Sequence, residues 1–349
     1  MPETYFIIGS GVDADYSTLE TFVAATSGIK LDSNVPYVAL LQDHVHTFGS
    51  LEDGASIGDG TDEDHYYIFK PQNKLWQGEE DTTDCVILQP RGETLRTYNF
   101  PYFSRIYNVV FEGETIIEDD KNDYIINSQG TIVNGCLFKS FGFYSTSTGK
   151  AYKLEFFSGN LIVRDYNYLN NCVFTDIALS GAQSNNEPYI NFNNIVNNSV
   201  FKNISNYHTY PHNAKIKIGH CYNTLFDTDI DISLALSPAS ISNNAFTSSG
   251  IIDGNNDDQF VYYDTTNHYI SGTYLTADTA LGKGSGIDTV DNPGWLTTAY
   301  DNKNFSMNPG SINGLEYWPY NWYDVGPLYF TKNILVLTQN DQSIIFRTK

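Results

Sequence analysis

The sequence predicts an all-β chain wound as a parallel β-helix, a solenoid, with one short helix capping its N-terminal end. Three observations predict it. A six-residue phrase (apolar, any, Asn or Gly, any, apolar, Phe) recurs through the middle of the chain, ending at Phe111, Phe138, Phe174, Phe201, Phe226 and Phe246. Successive phenylalanines are 27, 36, 27, 25 and 20 residues apart, and repeats of roughly 20–50 residues belong to solenoids, propellers or arrays. Each copy is rich in Val, Ile and Phe with apolar residues at alternate positions, which reads as strand.

Each position of the phrase has a physical task. Asn108, Gly135, Asn171, Asn198, Asn223 and Asn243 hold its third place. Asn and Gly tolerate a left-handed backbone better than other residues, and a sharp bend between two short strands needs one. Bends at the same place in every coil let the Asn side chains stack and hydrogen-bond along the stack. The phenylalanines and the apolar residues before them then stack inside, each coil covering the next. Upstream lie further short apolar or alternating segments: Tyr124-Ile125-Ile126, Leu161-Ile162-Val163, Ile190-Asn191-Phe192, Ile216-Lys217-Ile218 and Leu234-Ala235-Leu236. These form a second sheet of the same solenoid. The competing reading is a β-sandwich whose strands resemble one another by coincidence.

Composition narrows the partners. The chain has 349 residues and a formal net charge of −22, which argues against nucleic acid or an anionic membrane as a partner. That charge supports solubility and keeps sheets from aggregating; it also attracts Ca²⁺ or another hard cation. Met1-Pro2-Glu3-Thr4 lacks a basic region and Phe6-Ile7-Ile8 is too short for a signal core. No segment approaches the ~18 apolar residues of a membrane span. Cys136 and Cys172 hold the same place in successive copies. One strand spacing, about 4.8 Å, permits a disulfide, but nothing in the spacing of Cys85, Cys136, Cys172 and Cys221 looks like a secreted framework, so free thiols are expected.

The elements follow in order. Residues 1–95 make an N-terminal cap and the first coils. Tyr5-Phe6-Ile7-Ile8 opens as a strand. Ser17 and Glu20 then read as a capping box, with Leu19, Phe22 and Val23 on one apolar face of a helix ending near Gly28. That helix closes the open end that a solenoid would otherwise expose. Val38-Ala39-Leu40-Leu41 is a buried strand. Asp43, His44 and His46 beside it have a spacing that can hold a metal, against the plainer reading of two hydrogen-bonded histidines on a turn. Asp59, Asp62 and Asp64 lie in a glycine-containing loop able to gather oxygens for Ca²⁺, without EF-hand spacing; the plainer reading is a solvated loop. Tyr66-Tyr67-Ile68-Phe69 and Cys85-Val86-Ile87-Leu88 are further strands.

Residues 96–250 are the repeat proper, with longer units sending loops such as 142–153 and 180–188 out of the body, where binding functions often sit. Residues 251–330 lose the phrase and form the last coils and an aromatic C-terminal cap. Within it, Tyr317, Trp318, Tyr320 and Trp322 either cover the lower end of the solenoid or present faces on which a sugar ring stacks. Residues 331–349 read as two strands, Ile334-Leu335-Val336-Leu337 and Ser343-Ile344-Ile345-Phe346, which fold back on the body or pair with another subunit.

With these copies in place, the chain resembles right-handed parallel β-helix proteins of the pectate-lyase-like superfamily. The resemblance rests on the six phrases, on the opening Ala14-Asp15-Tyr16-Ser17-Thr18-Leu19, and on the closing stretch from Asp301 to Gly314 with Asp324-Val325-Gly326. It covers roughly residues 1–330, and similar openings and endings occur in phage and bacterial members. It implies a fold rather than an activity, because the superfamily includes lyases, hydrolases, adhesins and virion proteins.

Two functions follow from the resemblance. An enzyme of this fold cleaves an extracellular polysaccharide. A hydrolase needs two carboxylates roughly 5–10 Å apart, which one or two coil spacings supply. Asp176, Asp227, Asp229 and Asp231 follow the phenylalanine column and are the candidates; a solvated turn explains them equally well. A lyase would use Ca²⁺ ligands with a base such as Arg164 or Lys217. The favoured alternative is a bacteriophage virion protein (capsid decoration, tail accessory or short spike) made in the host cytoplasm and released by lysis. It requires no cofactor, touches other virion proteins and a host surface polysaccharide, and forms a homotrimer if it is a spike.

Overall fold

The computed structural model describes residues 4–26, 36–49, 66–76, 78–91, 95–101, 103–113, 115–116, 123–127, 131–143, 153–156, 168–170, 172–179, 189–197, 199–206, 215–222, 224–228, 231–234, 240–242, 244–246, 252–253, 260–262, 272, 311–312, 315–316, 334–339 and 342–347. Among them the chain is mostly β, with one helix, and every pairing in its two large sheets is parallel.

The strands stack in three columns. The first contains Leu95–Asn99, Asp123–Asn127 and Lys153–Phe156, then the leading halves of Tyr189–Asn197 and Lys215–Tyr222, then Asp231–Leu234 and Ile252–Asp253. The second runs Thr4–Ile8, Tyr37–Leu41, Tyr67–Pro71, Arg105–Tyr107, Ile132–Asn134 and Tyr168–Asn170, then the trailing halves of the same two long strands, then Ser240–Ser242. The third runs Val45–Gly49, Ile87–Arg91, Val110–Glu112, Leu137–Lys139, Val173–Leu179, Val200–Asn206, Leu225–Asp227, Asn244–Phe246 and Phe260–Tyr262. From Asp123 to Phe246 the chain visits first, second and third columns in turn, then begins again one strand further along.

The phrase dictates this register. Its phenylalanines pair in sequence, Phe111 with Phe138, then Phe174, Phe201, Phe226 and Phe246. Ring centroids from Phe111 to Phe226 are 4.6, 4.9, 4.6 and 5.0 Å apart, with interplanar angles of 4°, 8°, 11° and 5°. Those separations equal the spacing of hydrogen-bonded strands, so the backbone ladder sets the ring stack. Opposite it, the apolar residue that opens each phrase makes a second inner column, Ile106, Val133, Leu169, Val196 and Cys221, which Phe69 continues by register; all are buried. A one-residue slip would turn both columns outward.

Among the described residues left-handed bends recur at two places, one between the second and third columns and one in or just after the third-column strands. The expected one is present, with φ of 55° at Asn108 and 62° at Gly135; Asn171, Asn198, Asn223 and Asn243 lie outside the described residues. A second, unanticipated bend falls two residues after the phenylalanine, where Ser140, Asp176 and Asn203 have φ of 61°, 54° and 52°. Gly113 holds that place in the preceding unit. A Cβ there would lie 2.7 Å from the Ser140 carbonyl oxygen and from the Phe141 ring.

The fourth place of the phrase is also interior. Val109, Cys136, Cys172, Ser199 and Thr224 are buried there, and the Cys172 amide donates to Ser199 Oγ at 3.1 Å. All four cysteines are free and buried, as the spacing led one to expect. Burial pushes the Cys136 and Cys221 thiols up to about 12.

The helix spans Leu19–Thr26 and buries Leu19, Phe22, Val23 and Thr26. Its cap differs from expectation by one residue. Thr18, not Ser17, is the N-cap: Thr18 Oγ1 accepts from the Thr21 amide at 3.1 Å, and Thr21 Oγ1 accepts from the Thr18 amide at 3.2 Å. This is the reciprocal pattern of a capping box with threonine in place of glutamate. Phe22 packs its ring against Phe6, Tyr16, Tyr67 and Phe69, with centroids 5.4–6.4 Å away. The helix therefore sits over the core beside Thr4–Ile8, the terminal strand of the second column. The edge of that strand is covered too, since the Ile7 amide donates to Asp15 Oδ2 at 2.8 Å and Ile7 O accepts from Asp15 and Tyr16 amides.

Ile334–Gln339 and Gln342–Arg347 pair antiparallel with each other as a separate two-stranded sheet. Elsewhere the boundaries shift slightly. The strand expected at 234–236 is Asp231–Leu234, the one expected at 85–88 is Ile87–Arg91, and of the two histidines only His46 lies on a strand, Val45–Gly49. Leu161-Ile162-Val163 lies outside the described residues.

Candidate functional site

The outer face of the third column carries a second apolar stripe. Ile87, Val110, Leu137, Val173, Val200 and Leu225 hold the fifth place of successive units, and all are buried although they point away from the phenylalanines. Part of their cover comes from an excursion between Pro71 and Ile87. Trp76 from that excursion is fully buried in the same cluster, together with Cys85.

This strap is tied down along its length. The Trp76 amide donates to Asn108 O at 3.0 Å, Asn108 Nδ2 donates to Trp76 O at 3.2 Å, and Trp76 Nε1 donates to Glu79 O at 2.8 Å. Gly78 takes φ 101°, open to glycine and little else. Lys139 Nζ donates to Thr82 Oγ1 at 2.6 Å and pairs with Glu112 at 3.1 Å. Lys202 Nζ lies 3.7 Å from Glu80, and the Glu80 amide donates to Gly272 O at 3.0 Å. The strap thus ties to residues of three units, those ending at Phe111, Phe138 and Phe201.

Within the strap lies a cleft of about 430 Å³ lined by Lys74, Glu79, Asp81, Thr83, Asp84 and Cys85, among others. Hydrogen bonds from the Thr83 amide and hydroxyl hold the Asp81 carboxyl below its usual range. Burial, reinforced by Glu79, Asp81 and Asp84, pushes the Cys85 thiol up to about 11. A thiol in that state is neutral at physiological pH and a poor nucleophile. The cleft offers three carboxylates and one ammonium, so it favours polar or cationic groups. In the sequence this segment is marked only by a lone Trp76 set among polar and acidic residues between two strands.

The residues expected to carry function are distributed as follows. Asp176 is exposed at the second bend and accepts from Asn203 Nδ2 at 3.3 Å. Asp227 is half-buried one residue after its phenylalanine, in register with Lys202. That row continues through Thr175 and Lys139 to Glu112, a polar ladder along the outer face. Asp176 and Asp227 therefore occupy different rows, on strands separated by Val200–Asn206. Asp231 and Lys217 fall on strands, but their side chains, like Asp229, Arg164, Asp59, Asp62, Asp64, Tyr317, Trp318, Tyr320 and Trp322, lie outside what is described.

His44 and His46 separate. His44 Nδ1 bonds the Cys85 carbonyl at 2.6 Å, while His46 is buried in the core column. Among the described residues no three His, Cys, Asp or Glu side chains converge as a metal site, and no helix is long and apolar enough to cross a membrane. No known protein family, curated protein or solved structure matches the chain.

Proposed function

We propose that the chain is a right-handed parallel β-helix serving as a structural module of a bacteriophage virion, as a capsid decoration, tail accessory or short spike. The observation that carries this reading is how the described acidic candidates are employed. Asp176 occupies a left-handed bend and bonds Asn203 in the next unit, and Asp227 continues the polar row of Glu112, Lys139, Thr175 and Lys202. Both are accounted for by the coil itself. A stack of aromatic rings at strand spacing, braced by a strap across its outer face, suits a rigid body that bears load. On this reading the module is made in the host cytoplasm, meets other virion proteins in the particle, and presents Tyr317, Trp318, Tyr320 and Trp322 to host surface glycans. It needs no cofactor, and Ca²⁺ at Asp59, Asp62 and Asp64 is an optional ligand. A spike would be a homotrimer joined through the C-terminal hairpin.

A polysaccharide lyase or glycoside hydrolase is the second reading, favoured by the carboxylates around the strap cleft. Sedimentation separates the two. Particles purified on a density gradient from the source culture would contain this chain in fixed ratio to the other particle proteins. Recovery only among soluble proteins, with release of new reducing ends from polysaccharide, would establish the enzyme instead.

A further inference from the structure

His46 occupies a place in the third column that later units give to phenylalanine. It is in register with Leu88, and Leu88 with Phe111, so the imidazole ends this inner column, with Leu88 between it and the first stacked ring. It is 6% exposed, and its Nε2 is buried without a hydrogen-bond partner. Its strand packs against the helix Leu19–Thr26.

The charged groups acting on the ring are Asp43, whose backbone also hydrogen-bonds it, and Glu20 from the helix. The strand Ile87–Arg91 faces it with Leu88. The side chains of Leu95–Asn99, which also packs on this strand, lie outside the described residues. A ring that donates to a backbone carbonyl through one nitrogen keeps its lone pair on the other. Protonation would place a charged N–H at Nε2, which has no partner within hydrogen-bond distance, and a buried donor without a partner is costly.

We propose that His46 is an acid-operated latch: protonation of its imidazole at mildly acidic pH frees the N-terminal helix and the first parallel strands, while later coils stay closed. Later coils stay closed because the described positions continuing this column, from Leu88 and Phe111 to Phe226, carry no titratable group. Burial holds the His46 pKa below its usual value, outweighing the opposing pull of Asp43 and Glu20. The opened form therefore binds the proton more readily. The cap is fully stable above the ordinary histidine pKa of about 6.5 and weakens as pH falls below it, by up to about tenfold in the opening constant per pH unit.

Native-state hydrogen exchange between about pH 7.5 and 5, corrected for intrinsic rates, reads this directly. Opening of residues 4–8, 19–26 and 37–41 is expected to rise by up to about tenfold per unit below pH 6.5, with no such rise at 137–139, 173–179 or 200–206. His46→Leu, which continues the column with the residue its neighbour already has, should abolish the pH dependence and leave the helix protected at about pH 5. His46→Gln, neutral and polar, carries the same test should the leucine variant fail to fold. Opening that is independent of pH in the wild type, or a pH dependence that persists in the neutral variants, would overturn the latch.

Discussion

Asn203 and Asp176 sit at the same bend of successive units, both with left-handed backbones, and Asn203 Nδ2 donates to Asp176 Oδ1 at 3.3 Å. Asn and Asp are the non-glycine types that enter this conformation most readily. The bond joins one unit to the next at the surface, as the phenylalanines do inside.

This geometry makes Asp176 a bend residue whose tolerance is specific. Asp176→Asn keeps both the backbone preference and a partner for Asn203, and should leave stability within about 0.5 kcal/mol. Asp176→Val should cost about 1–2 kcal/mol, because a β-branched residue resists φ near +54°. Chemical denaturation checks both. Loss of polysaccharide cleavage in the asparagine variant would return Asp176 to a catalytic role.

Phe174 lies mid-stack, 4.9 Å from Phe138 and 4.6 Å from Phe201, and is fully buried. Phe174→Ala should cost about 3–5 kcal/mol, and Phe174→Leu clearly less. Thermal unfolding should show the alanine variant melting first around the flanking units, since each coil is stabilised by its neighbours.

Trp76 seals Cys85 against the outer stripe. With Cys85 pushed up to about 11, its thiolate is about a thousandth of the population at pH 8, and alkylation should accelerate about tenfold per pH unit up to that value. Trp76→Ala should loosen the strap and speed Cys85 alkylation by an order of magnitude or more, with Cys136 and Cys172 still protected in the core. Mass spectrometry of labelled peptides distinguishes the sites. Stability has the matching sign: the buried thiols Cys136 and Cys221 hold their protons to about 12 when folded. Unfolded thiols ionise near 8.5, so stability is full below that pH and declines above it.

The glycan reading rests on Trp318 and Trp322. Replacing both with alanine should weaken binding to host surface polysaccharide by at least tenfold, since stacking of this kind contributes on the order of 1 kcal/mol per ring. Unchanged binding in a glycan array would remove the platform from the proposal.

Much of the core was legible because the phrase repeats what the backbone repeats. Phe111 through Phe226 announce the ring stack, and Asn108 and Gly135 announce one bend, since each requirement recurs in every unit. The second bend was hidden because three different residues, Ser140, Asp176 and Asn203, meet it, and Asp176 carries a carboxylate that invites a chemical reading. The N-cap moved from Ser17 to Thr18 because Thr18 and Thr21 satisfy each other's amides, as Ser17 and Glu20 would have done one residue earlier. The strap was illegible because it occurs once. Trp76, Thr82 and Glu80 acquire meaning only beside Asn108, Lys139 and Lys202, which lie 32, 57 and 122 residues away in sequence.

The most direct test of the stacked register is a pair of cysteines at the second bend. Asp176→Cys with Asn203→Cys places two thiols one strand spacing apart, about 4.8 Å between Cα atoms, within disulfide range. Ser140→Cys with Asn203→Cys places them two spacings apart, about 9.6 Å, out of range. Mild oxidation followed by peptide mapping should yield an intramolecular disulfide in the first variant and none in the second. Equal cross-linking in both, or none in the first, would contradict the parallel stack on which the proposed module depends.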